Sequence, residues 1–395
     1  MPLRLLLILG GLSAFGPLAV DLYLPAFPAM AASFATDTEH VQLSLSVYFL
    51  GLAIGQVFYG PVADRFGRRK PLLFGIGLFT LASLACALAP TLEWLLAARF
   101  AQALGGCAGM VVNRAVVRDL CSPIESARVF SKLMLVMGVA PILAPLVGGW
   151  LMLLGGWQSI FGFLTLFSAA FLLLVWLRLP ETLPAGGPRS QLSSALGRYG
   201  RLLREPEFMF HALTGGLAMA GMFAYIAGSP FVFIQLYGVP AEHYGWLFGL
   251  NSAGFILAAQ FNGRLLRRRT PLQLLRSTTL VFMGGTLLLP LIALLQFESL
   301  WPLMVPLFLC MAALALVVPN SSACALAGQG HQAGVASALM GTLQFAIAGV
   351  VSALVGALHD GTALPMALMI ALCGMGAAGM AFMARRVGSG DVGVR

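Results

Sequence analysis

The sequence predicts an all-α membrane protein with twelve transmembrane helices in two six-helix repeats, and three observations predict it. Of 395 residues, 59% are hydrophobic and only 9% are charged, against roughly 25% charged residues in an ordinary soluble domain. Twelve apolar runs reach the roughly 20 residues that cross a hydrocarbon core about 30 Å thick. Of the 23 Lys and Arg residues, 22 fall in or beside alternate connections between those runs. A chain this poor in charge is not a soluble enzyme, a nucleic-acid-binding module or a disordered polypeptide, since each needs several times more polar surface.

The runs cover 4–28, 41–62, 71–89, 94–117, 128–154, 159–178, 208–230, 243–263, 273–295, 301–322, 333–357 and 364–384. The first follows an early Arg4 in the manner of a secretory signal. Its apolar character continues past Val20 through Tyr23, Leu24 and Phe27 without a small-x-small cleavage pattern, so it is read as a retained span. The bases lie at the N-terminus, in or beside the connections after the second, fourth, sixth and eighth runs and in the tail. The odd connections hold none and carry Asp37, Glu39, Glu93, Glu242, Glu298 and Asp360 instead. Lys and Arg mark the cytoplasmic side, so both termini are expected there.

The polar stretch after the sixth run divides the chain into an N-terminal half, 1–178, a cytoplasmic linker, 179–207, and a C-terminal half, 208–395, with a short tail. The linker holds Pro180, Pro184, Gly186, Gly187 and Pro188, then Arg198, Arg201 and Arg204 on an expected short surface helix. The halves look like degenerate copies. Phe58-Tyr59-Gly60 precedes Asp64, Arg65, Arg68 and Arg69; 203 residues beyond Gly60, Phe261-Asn262-Gly263 precedes Arg264, Arg267, Arg268 and Arg269. Parallel repeats of this kind place a transport site between the halves near the bilayer midplane.

Of the 14 acids, Asp21 alone lies well inside a run, and of the 23 bases Arg99 alone does. Ionisable groups there cost several kcal/mol unless paired or hydrated, so each is a functional candidate. At about 1.5 Å per residue both sit roughly 8–9 Å below the outer boundary. Asp21 is read as a proton carrier tuned by Arg99. The competing reading is a fixed ion pair holding spans 1 and 4 together. Gln102, one turn from Arg99, is a cavity residue or an interhelical hydrogen bond. Tyr23, Tyr48, Tyr225, Phe231 and Gln235 accompany polar positions on spans 1, 2 and 7 and are further candidates to line a substrate cavity.

After the second run, Gly60, Asp64, Arg65, Gly67, Arg68 and Arg69 match G-x-x-x-D-R-x-G-R-R, and here the sequence resembles the major facilitator superfamily. A loop that only fixes topology accounts for the bases but not for Asp64 or the glycines, which suggest close helix approach and a specific ion pair. Arg99-Phe100-Ala101-Gln102 resembles the family's R-x-x-Q motif. Pro141, Pro145, Gly148 and Gly149 resemble its antiporter motif, with Ala144 where a glycine is expected. The run Val20 to Pro28, Arg118-Asp119 and Gly228-Ser229-Pro230-Phe231-Val232 are similar to the Bcr/CflA (bicyclomycin-resistance) multidrug efflux subfamily. The resemblance implies the major facilitator fold and a proton-coupled antiporter of a bacterial cytoplasmic membrane, exporting small, largely apolar compounds by alternating access and working as a monomer. It also implies that Asp64, Arg118 and Asp119 form a cytoplasmic latch, and that the Pro/Gly run of span 5 bends that helix. Simple loop solvation and a kink without a transport role are the plainer alternatives.

No cofactor or metal is expected. The six cysteines show no Cys-x-x-Cys, and His40, His211, His243, His331 and His359 lack metal spacing. Gly388 to Gly393 spells G-x-G-x-x-G but follows the last run without a preceding strand, so it reads as a tail. No Walker lysine motif occurs, so ATP is not the direct drive. A narrow-substrate carrier of a sugar or amino acid should converge several buried charges on one ligand, and the C-terminal half has no charge inside a span. An intramembrane enzyme would need paired aspartates, a Ser/His arrangement or zinc ligands, and none is found.

Overall fold

The structure, a computed structural model, describes residues 3–183, 192–329 and 332–390. It contains fourteen α-helices among the described residues: α1 Leu3–Asp21, α2 Phe27–Ser33, α3 Thr38–Phe66, α4 Arg69–Ala87, α5 Leu92–Leu120, α6 Pro123–Gly155, α7 Gln158–Arg178, α8 Leu192–Leu202, α9 Pro206–Pro230, α10 Ala241–Leu265, α11 Pro271–Leu294, α12 Trp301–Leu326, α13 Ala333–Ala357 and α14 Leu364–Gly390. Each of the twelve apolar runs falls on a long helix, and the arginine-bearing linker segment forms α8. Pro184, Gly186, Gly187, Pro188, His331 and the end of the glycine-rich tail, 391–393, lie outside the described residues.

Eleven helical segments among the described residues are long and apolar enough to cross a membrane. The remaining run, 243–263, lies in α10, which is long enough but more polar, since it carries Glu242, His243, Asn251, Gln260 and Asn262. The helix ends follow local chemistry. Ser122 and Glu125 close a capping box on α6, Thr270 and Gln273 do so on α11, and the Thr91 hydroxyl accepts from the Trp94 amide at the start of α5.

The first span departs from expectation. The run 4–28 was expected to be one continuous helix, yet α1 stops at Asp21. A 3-10 turn follows over Leu24–Ala26, and the chain resumes as α2. Pro25 sits inside that turn; lacking an N–H and disfavouring α geometry in the residue before it, proline ends the regular hydrogen bonding here.

The chain groups into two compact units. One comprises residues 1–196 with Ala241–Gly245; the other comprises 197–240 with 246–395. In the first, α3 and α4 both pack on α5, α4 packs on α7, and α1 packs on α6. In the second, α11 packs on α12 and α14, and α9 packs on α12, α13 and α14.

Candidate functional site

Arg99, on α5, is fully buried in the first unit, yet no carboxylate among the described residues pairs with it. Its guanidinium carbon lies 4.4 Å from the centre of the Tyr23 ring and 4.2 Å from that of Tyr48. The electron-rich ring faces supply the negative potential that a counter-ion would otherwise provide. Nη1 donates to the Gln102 side-chain oxygen, and Gln102 in turn donates from Nε2 to Ser83 Oγ at 2.7 Å. The Tyr23 hydroxyl shares a 2.9 Å hydrogen bond with Ser44. Three sequence candidates, Tyr23, Tyr48 and Gln102, thus converge on Arg99 as a buried nest. Its Nε and Nη2 have no hydrogen-bond partner.

Asp21 is not part of that nest. It is the last residue of α1, 3% exposed, with Oδ1 unpartnered. The competing reading, a fixed Asp21–Arg99 ion pair, is not met among the described residues; the guanidinium lies instead against the two tyrosine faces and Gln102. The chain just after Asp21 is gripped from α6. A Cβ on Gly148 would lie 1.8 Å from the Leu22 carbonyl oxygen, so only glycine lets the two backbones meet there. Pro141 and Pro145 lie within α6 two turns and one turn before Gly148, and Gly149 follows it. Ala144, the departure from the antiporter motif, is buried and helps line an open apolar groove along α1, α6 and α7, with Leu18, Ala140, Leu143 and Phe163.

The signature turn between α3 and α4 is built around Arg68. Its Nη1 donates to Asp64, and its Nε donates to Asp119 Oδ2 at 2.8 Å. The cluster therefore pairs Asp64 and Asp119 with Arg68, where the family resemblance implied Arg118; Arg118 is exposed and makes no ion pair with a described residue. Arg65 lies over the Phe66 ring, and Arg69 donates to the Trp176 carbonyl. Of the two signature glycines, Gly67 has φ +93° and a Cβ on it would meet the Glu181 carboxylate at 2.3 Å. Gly60 has nothing within 4 Å of where its Cβ would be, so close approach explains one glycine and not the other.

Glu181 was not among the sequence candidates. Its carboxylate accepts from the backbone amides of Arg68 at 2.7 Å and Arg69 at 3.2 Å, and from Thr182 and Leu183 at 3.0 Å each. Burial raises its pKa, but these four N–H groups outweigh burial and hold the carboxyl below its ordinary range. Burial likewise works against the Arg68 charge, and hydrogen bonds to Asp119 and Asp64 more than offset it, leaving its pKa raised. A carboxyl with a depressed folded pKa stabilises the fold above its unfolded pKa, and that contribution is lost as pH falls through the folded value. Glu181→Gln is accordingly expected to lower Tm at pH 7, with the gap to wild type closing as the pH drops below the ordinary glutamate range. A gap independent of pH would show that the charge on Glu181 is immaterial.

In the second unit, Tyr225 is buried, stacks on Phe248 at 5.5 Å and accepts a 3.0 Å hydrogen bond from Asn251 Nδ2. Asn251 was also missed, although it lies 203 residues beyond Tyr48, the same offset that relates Gly60 to Gly263. Phe231 meets His359 edge-on at 4.2 Å, and Gln235 is exposed.

The family model described as Major Facilitator Superfamily matches residues 9–353. The "Uncharacterized MFS-type transporter YdgK" of Bacillus subtilis (strain 168) is 39% identical over 92% of this chain and 91% of its own. The "Bicyclomycin resistance protein homolog" of Haemophilus influenzae is 30% identical over 93% and 92%. A D-xylose-proton symporter structure superposes with a TM-score of 0.73 over 96% of each chain at 15% identity, a likeness of fold alone. With a family model spanning most of its length and a relative of 39% identity across more than nine-tenths of both chains, this multi-pass membrane protein belongs to the Major Facilitator Superfamily of transporters.

Proposed function

We propose that the protein is a proton-coupled antiporter that exports small, largely apolar, drug-like compounds by alternating access. The observation that carries this reading is Asp21, a carboxyl buried at a break in the first span without a counter-ion among the described residues. An ionised carboxylate in such a place costs several kcal/mol when dry, so its charge state is tied to whether water reaches it. A proton carrier that is opened to each side in turn needs that property. The open apolar groove beside α1, one turn from Asp21 at Leu18, is compatible with a lipophilic cargo, and the name of the Haemophilus relative points to drug resistance. In this reading Arg99 shapes the first unit through its tyrosines, the 64–68–119 cluster serves as the latch, and the N-terminal half, linker and C-terminal half act as the moving parts of a monomer. In the same reading both termini lie on the cytoplasmic side of a bacterial inner membrane, which the segregated bases support.

Inside-out membrane vesicles test this reading, because their outer face is the cytoplasmic one. An acidic lumen should drive uptake of lipophilic test compounds, and collapsing the pH gradient should stop it. A tag joined after Arg395 should be cleaved by protease added outside the same vesicles. Uptake indifferent to the gradient contradicts proton coupling, and a protected tag contradicts the orientation.

A further inference from the structure

In the first unit the turn after α3 is tied down by acids, since Asp64 and Asp119 hold Arg68 and Glu181 holds the turn's backbone. The corresponding turn of the second unit joins α10 to α11. At the 203-residue offset Asp64 is answered by Arg267, and Arg264, Arg268 and Arg269 complete four arginines within six residues. All four are exposed, and none makes an ion pair with a described residue.

The turn is nevertheless ordered. The Leu266 amide donates to Asn262 O at 3.0 Å, and the amides of Arg268 and Arg269 donate to Leu265 O at 3.0 Å each. Apolar side chains are interleaved with the charge: Phe261, 53% exposed, lies 5.4 Å beneath the Arg264 guanidinium, and Leu265 and Leu266 are 37% and 39% exposed. At the end of a membrane-spanning helix this makes a surface with two chemistries at one level, cationic forks beside exposed hydrocarbon.

We propose that the turn Arg264 to Arg269 binds the phosphate of an anionic phospholipid headgroup, with Phe261, Leu265 and Leu266 against the acyl boundary. The guanidinium fork matches phosphate oxygens in a bidentate manner, and the exposed hydrocarbon selects a lipid over a free anion. Each arginine near an anionic bilayer surface is worth roughly fivefold in binding. A cluster that only sets topology requires no such ligand.

The test is lipid retention by the purified full-length protein, measured by native mass spectrometry from micelles holding equal phosphatidylglycerol and phosphatidylcholine. Wild type should retain phosphatidylglycerol preferentially, and added NaCl should release it. The Arg267→Gln/Arg268→Gln/Arg269→Gln variant should lose that preference tenfold or more, with an unchanged Tm in phosphatidylcholine alone. An undiminished preference in the variant overturns the proposal. Where the variant fails to fold, wild type still decides: equal retention of both lipids, or displacement of phosphatidylglycerol by inorganic phosphate, overturns it as well.

Discussion

Asp21→Asn is expected to reduce gradient-driven export to background while leaving substrate binding within a few-fold of wild type. Asparagine keeps the size of the side chain and removes only its titratable proton, so packing at the end of α1 is preserved. Because the buried Oδ1 has no partner to lose, the variant should be at least as stable as wild type; removing an uncompensated buried charge is neutral or stabilising. The absence of an Asp21–Arg99 ion pair sharpens the test. Were the two a structural clamp, a neutral Asp21→Asn/Arg99→Gln double variant would restore what either single change had lost. Here it should restore nothing, and gradient-driven efflux by the double variant would end the proton-carrier assignment.

Gly148→Ala is expected to have the second large effect. The added Cβ would stand 1.8 Å from the Leu22 carbonyl oxygen, well inside van der Waals contact, and both partners are backbone, so no rotamer can relieve it. Overpacking of this kind costs about 1–3 kcal/mol, sometimes more, and here it pushes on the residue that follows Asp21. Tm should fall by several degrees and transport at least tenfold. Gly162→Ala on α7 is the control. Its Cβ would meet nothing within 4 Å, and alanine is the better helix former by about 1 kcal/mol, so this change should be neutral or slightly stabilising. Equal behaviour of the two variants would show that the α1–α6 contact does not matter.

Hydropathy and charge segregation made the helices legible because burial in lipid imposes a long apolar run and a sidedness that a sequence displays directly. The break after Asp21 was hidden because Leu22 to Phe27 stays apolar throughout; only Pro25 and Pro28 hinted at it, and proline is tolerated in membrane helices. The environment of Arg99 was hidden for a different reason. A buried base sends the eye to an acid, whereas the two tyrosines that flank it are neutral and come from elsewhere in the chain, Tyr23 from the break after α1 and Tyr48 from α3. Glu181 looked like one more solvated acid in a polar linker, and its role is created by four backbone amides, groups that every residue but proline carries and no sequence distinguishes. Asn251 was within reach, since the repeat offset applied to Tyr48 points straight at it.

The clasp at Arg68 also bears on how the chain is made. Its contacts join residues as far as 113 positions apart, yet every group in it, from Asp64 through Asp119 to Leu183, belongs to the part of the chain synthesised before α8. A nascent polypeptide therefore carries the whole clasp before any residue of the second half has left the ribosome. N-terminal units generally fold first during synthesis, and this one can fasten its own signature turn with nothing contributed by the six spans still to come.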